Sequence, residues 1–182
     1  MASTAWRGVA TWVAAAALAA PAGAVTLEEV AAIIQADAFH DHGYTGAGSI
    51  IGNVEAGNIW DGHQTLNDGR IAQFVRFEPD TTFTYDSHAT LVGGTMVADG
   101  LLDSGSASPT GGGVAYGAEA WSGQIATVFY GGGSFGITGD SLLYPLMVFG
   151  ETGVAPDGQI GGVGAQTADV INSSWGLSLI HI

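Results

Sequence analysis

Three short strand-like segments, Ser49–Val54, Gln124–Tyr130 and Ala168–Trp175, restrict this chain more than any other feature. The first two fit strands buried on both faces, and the last reads as a third strand. Between them, His88–Leu102 puts Leu91, Val92, Thr95, Met96 and Leu102 at helical intervals, and Gly93-Gly94 leaves room for a close neighbour. Asp140–Phe149 predicts another helix. Thr26-Leu27-Glu28-Glu29 has the form of a capping box, in which hydroxyl and carboxylate satisfy the first free N–H groups of a helix. That helix runs to about Ala36, with Leu27, Val30, Ile33 and Ile34 on one face. Gly43–Gly48 reads as a turn and Ser104–Gly113 as a Ser/Gly/Pro loop. Strands alternating with helices predict an α/β domain with a mostly parallel sheet. No internal repeat is visible.

Charge narrows the partners. The chain has 3 Lys+Arg against 17 Asp+Glu, a net charge of −14, and the basic residues are Arg7, Arg70 and Arg76. Such a surface repels phosphate backbones and anionic lipid, which argues against nucleic-acid binding and polybasic membrane docking. With no Cys there are no disulfides, thiolate zinc sites or cysteine nucleophiles. With no Lys there is no P-loop. A hydrophobic fraction of 47% with 11% charged residues is that of a globular chain, not a disordered acidic one. Met1–Ala24 carries Arg7, the apolar run Val9–Ala20 and the small-residue pattern Ala22-Gly23-Ala24. It reads as a signal peptide cleaved before Val25, its apolar core being too short to span a membrane comfortably. The expectation is a secreted or cell-surface protein with no membrane contact beyond export.

Four segments follow one another in a telling order. Gly43-Tyr44-Thr45-Gly46-Ala47-Gly48-Ser49-Ile50-Ile51-Gly52-Asn53-Val54-Glu55-Ala56-Gly57 is a glycine turn, a strand and an acid at the strand end, with His63-Gln64-Thr65-Leu66 shortly after. Ser87-His88-Ala89-Thr90-Leu91-Val92-Gly93-Gly94-Thr95-Met96 opens the second predicted helix, and Gly113-Val114-Ala115-Tyr116-Gly117-Ala118-Glu119-Ala120 comes next. Ala168-Asp169-Val170-Ile171-Asn172-Ser173-Ser174-Trp175-Gly176 closes the series. Together they resemble the subtilisin-like serine peptidases, whose helix opens on H-G-T-x-V-A-G-T and whose later segments read G-V-A-P-x-A and D-V-I-N-x-S-x-G. The acid here is Glu55 where most members have Asp, and Tyr116-Gly117 replaces the usual Ala-Pro. The resemblance covers roughly residues 40–176.

The resemblance implies a doubly wound, mostly parallel sheet of subtilisin type, with residues 25–176 as the N-terminal part of a catalytic domain. It implies a serine endopeptidase acting by acyl transfer on polypeptides. A serine hydroxyl needs an adjacent imidazole to take its proton, and the imidazole needs a carboxylate on its other nitrogen. By resemblance Glu55 is that carboxylate and His88 the base, while Ser174, Trp175 and Gly176 line the substrate cleft. Ser174-Trp175-Gly176 would offer backbone groups to an extended peptide. Trp175 would be either a pocket wall or a core residue at a strand end. The family's nucleophile, in G-T-S-x-[AS]-x-P, and its oxyanion-hole Asn are expected beyond Gly176, so residues 1–182 alone are expected to be inactive. Residues 177–182 read either as a foreign tail, since their codons can be written as the start of a sequencing-library adapter, or as a natural apolar strand that happens to be encodable that way. No cofactor is needed for the chemistry. Structural calcium is known in the family, but Thr65 stands where a ligating Asp is expected, so no metal ligand is assigned. The oligomeric state is not legible.

Rival readings are definite. Taken singly, Glu55 would be a charge at a solvated strand end and His88 a structural histidine; their order and spacing with the later segments favour the pair. His63 reads as structural. Gly132-Gly133-Ser134-Phe135-Gly136 matches the G-x-S-x-G elbow of an esterase, which would use Ser134 and need a downstream His, where only His181 stands. His40-Asp41-His42 has metal-ligand chemistry but no third ligand at a telling spacing. The glycines of 158–164 lack the dinucleotide-loop order. The remaining alternative is a non-catalytic surface or adhesion protein on the same scaffold.

Overall fold

The computed structural model describes residues 27–101 and 111–176. The helices are α1 (Leu27–Ile33), α2 (Ala36–His40), α3 (Ser87–Val97) and α4 (Gly139–Met147). The strands are β1 (Ile50–Glu55), β2 (Ile71–Arg76), β3 (Glu119–Gln124), β4 (Val128–Phe129), β5 (Phe135–Gly136) and β6 (Val170–Asn172). Four of them make a parallel sheet in the order β2-β3-β1-β6, and β4 and β5 form a separate antiparallel hairpin. This is an α/β architecture with a mostly parallel sheet.

Side-chain alternation along the strands sorts the core into two layers. Ile51 of β1 and Ala120 of β3 pack with Ile59, Ala89 and Val97 on the α3 side. Val54 and Trp121 pack with Val148 and Phe149 on the α4 side. Two glycines permit the contact. A Cβ on Gly93 would lie 2.8 Å from Ile59, and one on Gly52 would lie 2.8 Å from the Phe149 ring. Arg70 fastens the far end of α3. Its guanidinium donates to the Val97 carbonyl, to the Tyr116 carbonyl at 2.7 Å and, through Nε, to Asp68 at 2.7 Å. Val97 ends the helix, so a cation there also meets the negative end of the helix dipole.

Several elements differ from the expectations drawn from sequence. The second buried strand is Glu119–Gln124, not Gln124–Tyr130; burial ends at Ala126, and the Gly131–Gly133 turn folds Val128–Phe129 back on Phe135–Gly136. β2 is an additional strand, hidden in the sequence because its edge position tolerates exposed Ala72 and the polar Gln73 and Arg76. The first helix stops at Ile33, where Gln35 takes a left-handed conformation (φ 64°) and a short second helix starts. Ile33 and Ile34 are exposed there, not on a buried face. α3 ends at Val97, and its apolar Leu91 faces an open groove of about 710 Å³ shared with Leu27, Trp60 and Tyr85. The last strand has three residues, and α4 runs on into a wider π-type turn over Val148–Thr152. The capping hydroxyl of Thr26, the signal segment 1–24, Leu102, loop residues 104–110 and the tail 177–182 lie outside the described residues. Among the described residues no helix is long and apolar enough to cross a membrane.

Candidate active site at the carboxyl end of the sheet

β1 is flanked by β3 on one side and β6 on the other, and the chain reaches these neighbours by separate crossovers. The carboxyl end of such a central strand is where open α/β sheets gather their sites. Glu55 is the last residue of β1 and is 1% exposed. His88 is the second residue of α3, with its side chain 53% exposed. Asp86 caps that helix: its backbone is extended and its carboxylate accepts from the Ala89 N–H at 3.1 Å. The cap is itself anchored, because Asp86 N–H donates to the Asn58 carbonyl and Asn58 N–H to the Thr84 carbonyl, both at 2.8 Å.

These placements bring Glu55 Oε2 to 3.2 Å from His88 Nδ1. The other carboxylate oxygen, Oε1, accepts from the Ser174 backbone N–H at 2.7 Å. Burial pushes the Glu55 carboxyl above its ordinary range. The Ser174 N–H and the neighbouring His88 pull it back down, and the negative charge of Asp86 adds to the upward push. An ionised carboxylate only accepts, so in that state Nδ1 of His88 carries the proton and Nε2 has a free lone pair. On an exposed ring, such a nitrogen can take a proton from a hydroxyl and return it to a leaving group.

Of the residues singled out in the sequence, Glu55, His88 and Ser174 come together. Trp175 turns to the other layer. Its indole N–H donates to the Val54 carbonyl at 2.9 Å and its ring meets Phe135 edge-on at 6.5 Å, as a strand-end core residue does. Gly176 has open space where a Cβ would stand. His63 lines the α3 groove and bonds Thr65 Oγ1 through Nδ1 at 3.1 Å, with Thr65 buried. Ser134 sits between β4 and β5 at an exposed hairpin turn, without the strand–turn–helix that an elbow needs. His40 Nε2 is engaged by the Val114 carbonyl and His42 Nδ1 by the Ala38 carbonyl. Among the described residues no three His, Asp or Glu side chains are grouped as metal ligands.

Two residues of the site are not anticipated from the sequence. Asp86 announces itself only as an acid three residues before the amide it caps. Asn53 is fully buried on the same strand face as Glu55; a polar residue two positions before the acid in an apolar run is the available signal. Comparison with protein-family models, with curated proteins and with solved structures finds no match for this chain.

Proposed function

We propose that this chain carries the acid–base half of a serine-type endopeptidase, on a scaffold of subtilisin type, exported from the cell and acting on polypeptides. The observation that carries the reading is the 3.2 Å contact between the Glu55 carboxylate and His88 Nδ1. The parallel sheet with that pair at its carboxyl end supports it further. In this reading a serine outside residues 1–182 attacks the peptide carbonyl. Its hydroxyl proton passes to His88 Nε2 as the C–O bond forms, and His88 returns it to the departing amine as the C–N bond breaks. Water then repeats the sequence on the acyl-enzyme. Glu55 stays ionised throughout, fixing the tautomer and stabilising the imidazolium. The backbone of Ser174–Gly176 lies beside an extended substrate. No cofactor enters the chemistry.

One observation favours a second reading. Glu55 sits where burial and Asp86 oppose its ionisation, which would suit a scaffold kept for binding after catalysis was lost. A single experiment separates the two. Protein expressed from the complete reading frame is expected to take a fluorophosphonate label and cleave an unfolded polypeptide, with both activities lost in His88→Ala. Absence of labelling from the parent sinks the endopeptidase and leaves the binding scaffold; labelling that survives His88→Ala sinks the endopeptidase and assigns the label to a serine that His88 does not activate.

A further inference from the structure

The groups that hold Glu55 are themselves held by a pair of amides. Asn53 and Asn172 are direct neighbours across β1 and β6. The Asn53 side chain lies two residues before Glu55 and is completely buried. A strand interior normally takes an apolar residue at such a place, and an unpaired amide there would be strongly unfavourable. Both ends of this amide are in use. Asn53 Nδ2 donates to the Ala89 carbonyl at 3.3 Å, and Oδ1 accepts from Asn172 Nδ2 at 3.0 Å. Asn172 Nδ2 also donates to Ser174 Oγ at 3.0 Å. Ala89 follows His88, and Ser174 supplies the N–H that meets Glu55. One bridge therefore ties down both the turn bearing the imidazole and the bend bearing the amide donor.

We propose that the Asn53–Asn172 bridge is the positioning element of the Glu55–His88 pair, fixing where the imidazole and the Ser174 N–H meet the carboxylate. Its consequence for rate rests on the endopeptidase reading; its effect on the pair does not. Neither amide touches the reacting atoms, so both act through Glu55 and His88. The groups facing Glu55 are few. His88 and Asp86 come from the start of α3, the uncharged Gln124 is the β3 neighbour, and the Ser174 N–H comes from beyond β6.

The test is the double substitution N53V/N172V in the whole protein. Valine suits both strand positions, and replacing both partners leaves no half-satisfied amide pair. The variant is expected to fold, with the Glu55 carboxyl followed by ¹³C NMR titrating at higher pH than in the parent, because the Ser174 N–H is no longer held against the charged form. The rate kcat is expected to fall about 100-fold with KM little changed. Asn172→Ala should move the titration the same way and decides the matter if the double variant fails to fold. An unmoved Glu55 titration in a folded variant overturns the proposal. If the titration moves while the parent neither labels nor hydrolyses, the bridge stands and the endopeptidase falls; the opposite pattern leaves the endopeptidase and removes the bridge.

Discussion

Glu55 joins two conditions that oppose each other: its carboxylate meets the Nδ1 edge of an imidazole as an acceptor, and its burial resists the charge that makes it one. With its carboxyl raised above the ordinary value, the folded protein retains a proton that the unfolded chain releases in the interval between the two values. Stability therefore falls as pH rises through that interval, and the loss is complete above the raised value. Glu55→Gln should abolish this slope. Urea unfolding across a pH series is expected to show the variant declining less than the parent as pH rises through the interval. The amide oxygen can still accept from Ser174, but the amide nitrogen donates to His88 Nδ1 and forces the proton onto Nε2. That tautomer leaves no lone pair on Nε2, so under the endopeptidase reading kcat should drop by about 10⁴. The pair itself is legible in the sequence, because an acid ending an apolar run and a His opening a helical run are local signals. Its amide supports are not, since the Asn53–Asn172 contact spans 119 positions.

At the scale of elements, α3 does the most to build the site, and its packing gives a paired test. A Cβ on Gly94 meets nothing within 4 Å, whereas one on Gly93 presses on all three outer carbons of fully buried Ile59. Gly94→Ala should stabilise by about 1 kcal/mol through helix propensity alone. Gly93→Ala should destabilise by up to about 2 kcal/mol after the same gain, because the core there has no room to yield. Thermal melts of the two variants moving in opposite directions would establish the close approach; parallel shifts would refute it. α3 is readable because its apolar spacing and its Gly pair lie within one dozen residues. β2 is not, since an edge strand needs no continuous apolar run. β3 lies several positions from its expected place because its inward residues are Ala120, Ser122 and Gln124 on one face and Trp121 and Gly123 on the other. Those small and polar residues answer to neighbours far along the chain: Gly123 makes way for Pro145 and Phe149, and Gln124 bonds Asn58 and Thr84.

Over the whole molecule, the order β2-β3-β1-β6 leaves β6 with one partner among the described strands, and Val170 on it is 60% exposed. Such an edge invites pairing with another copy, opposed here by a net charge of −14 and released as salt screens it. Light scattering of residues 1–182 is expected to rise with salt, and Val170→Lys to suppress the rise; an unchanged salt response in that variant would place the contact elsewhere. Strand order is beyond the sequence because it depends on which distant runs pair. The Arg70 clasp on Val97 carries a further implication for acid conditions. A guanidinium keeps its charge at every accessible pH, while the carboxylate steadying His88 can be neutralised. α3 is thus moored astern by a charge that stays, while at the bow acid slackens the Glu55 line and leaves the Asn53 amide on Ala89, so acidification should loosen the helix from its amino end. Hydrogen exchange should then quicken at Leu91 and Val92 ahead of Met96 and Val97; an even quickening along the helix would mean that both moorings slip together.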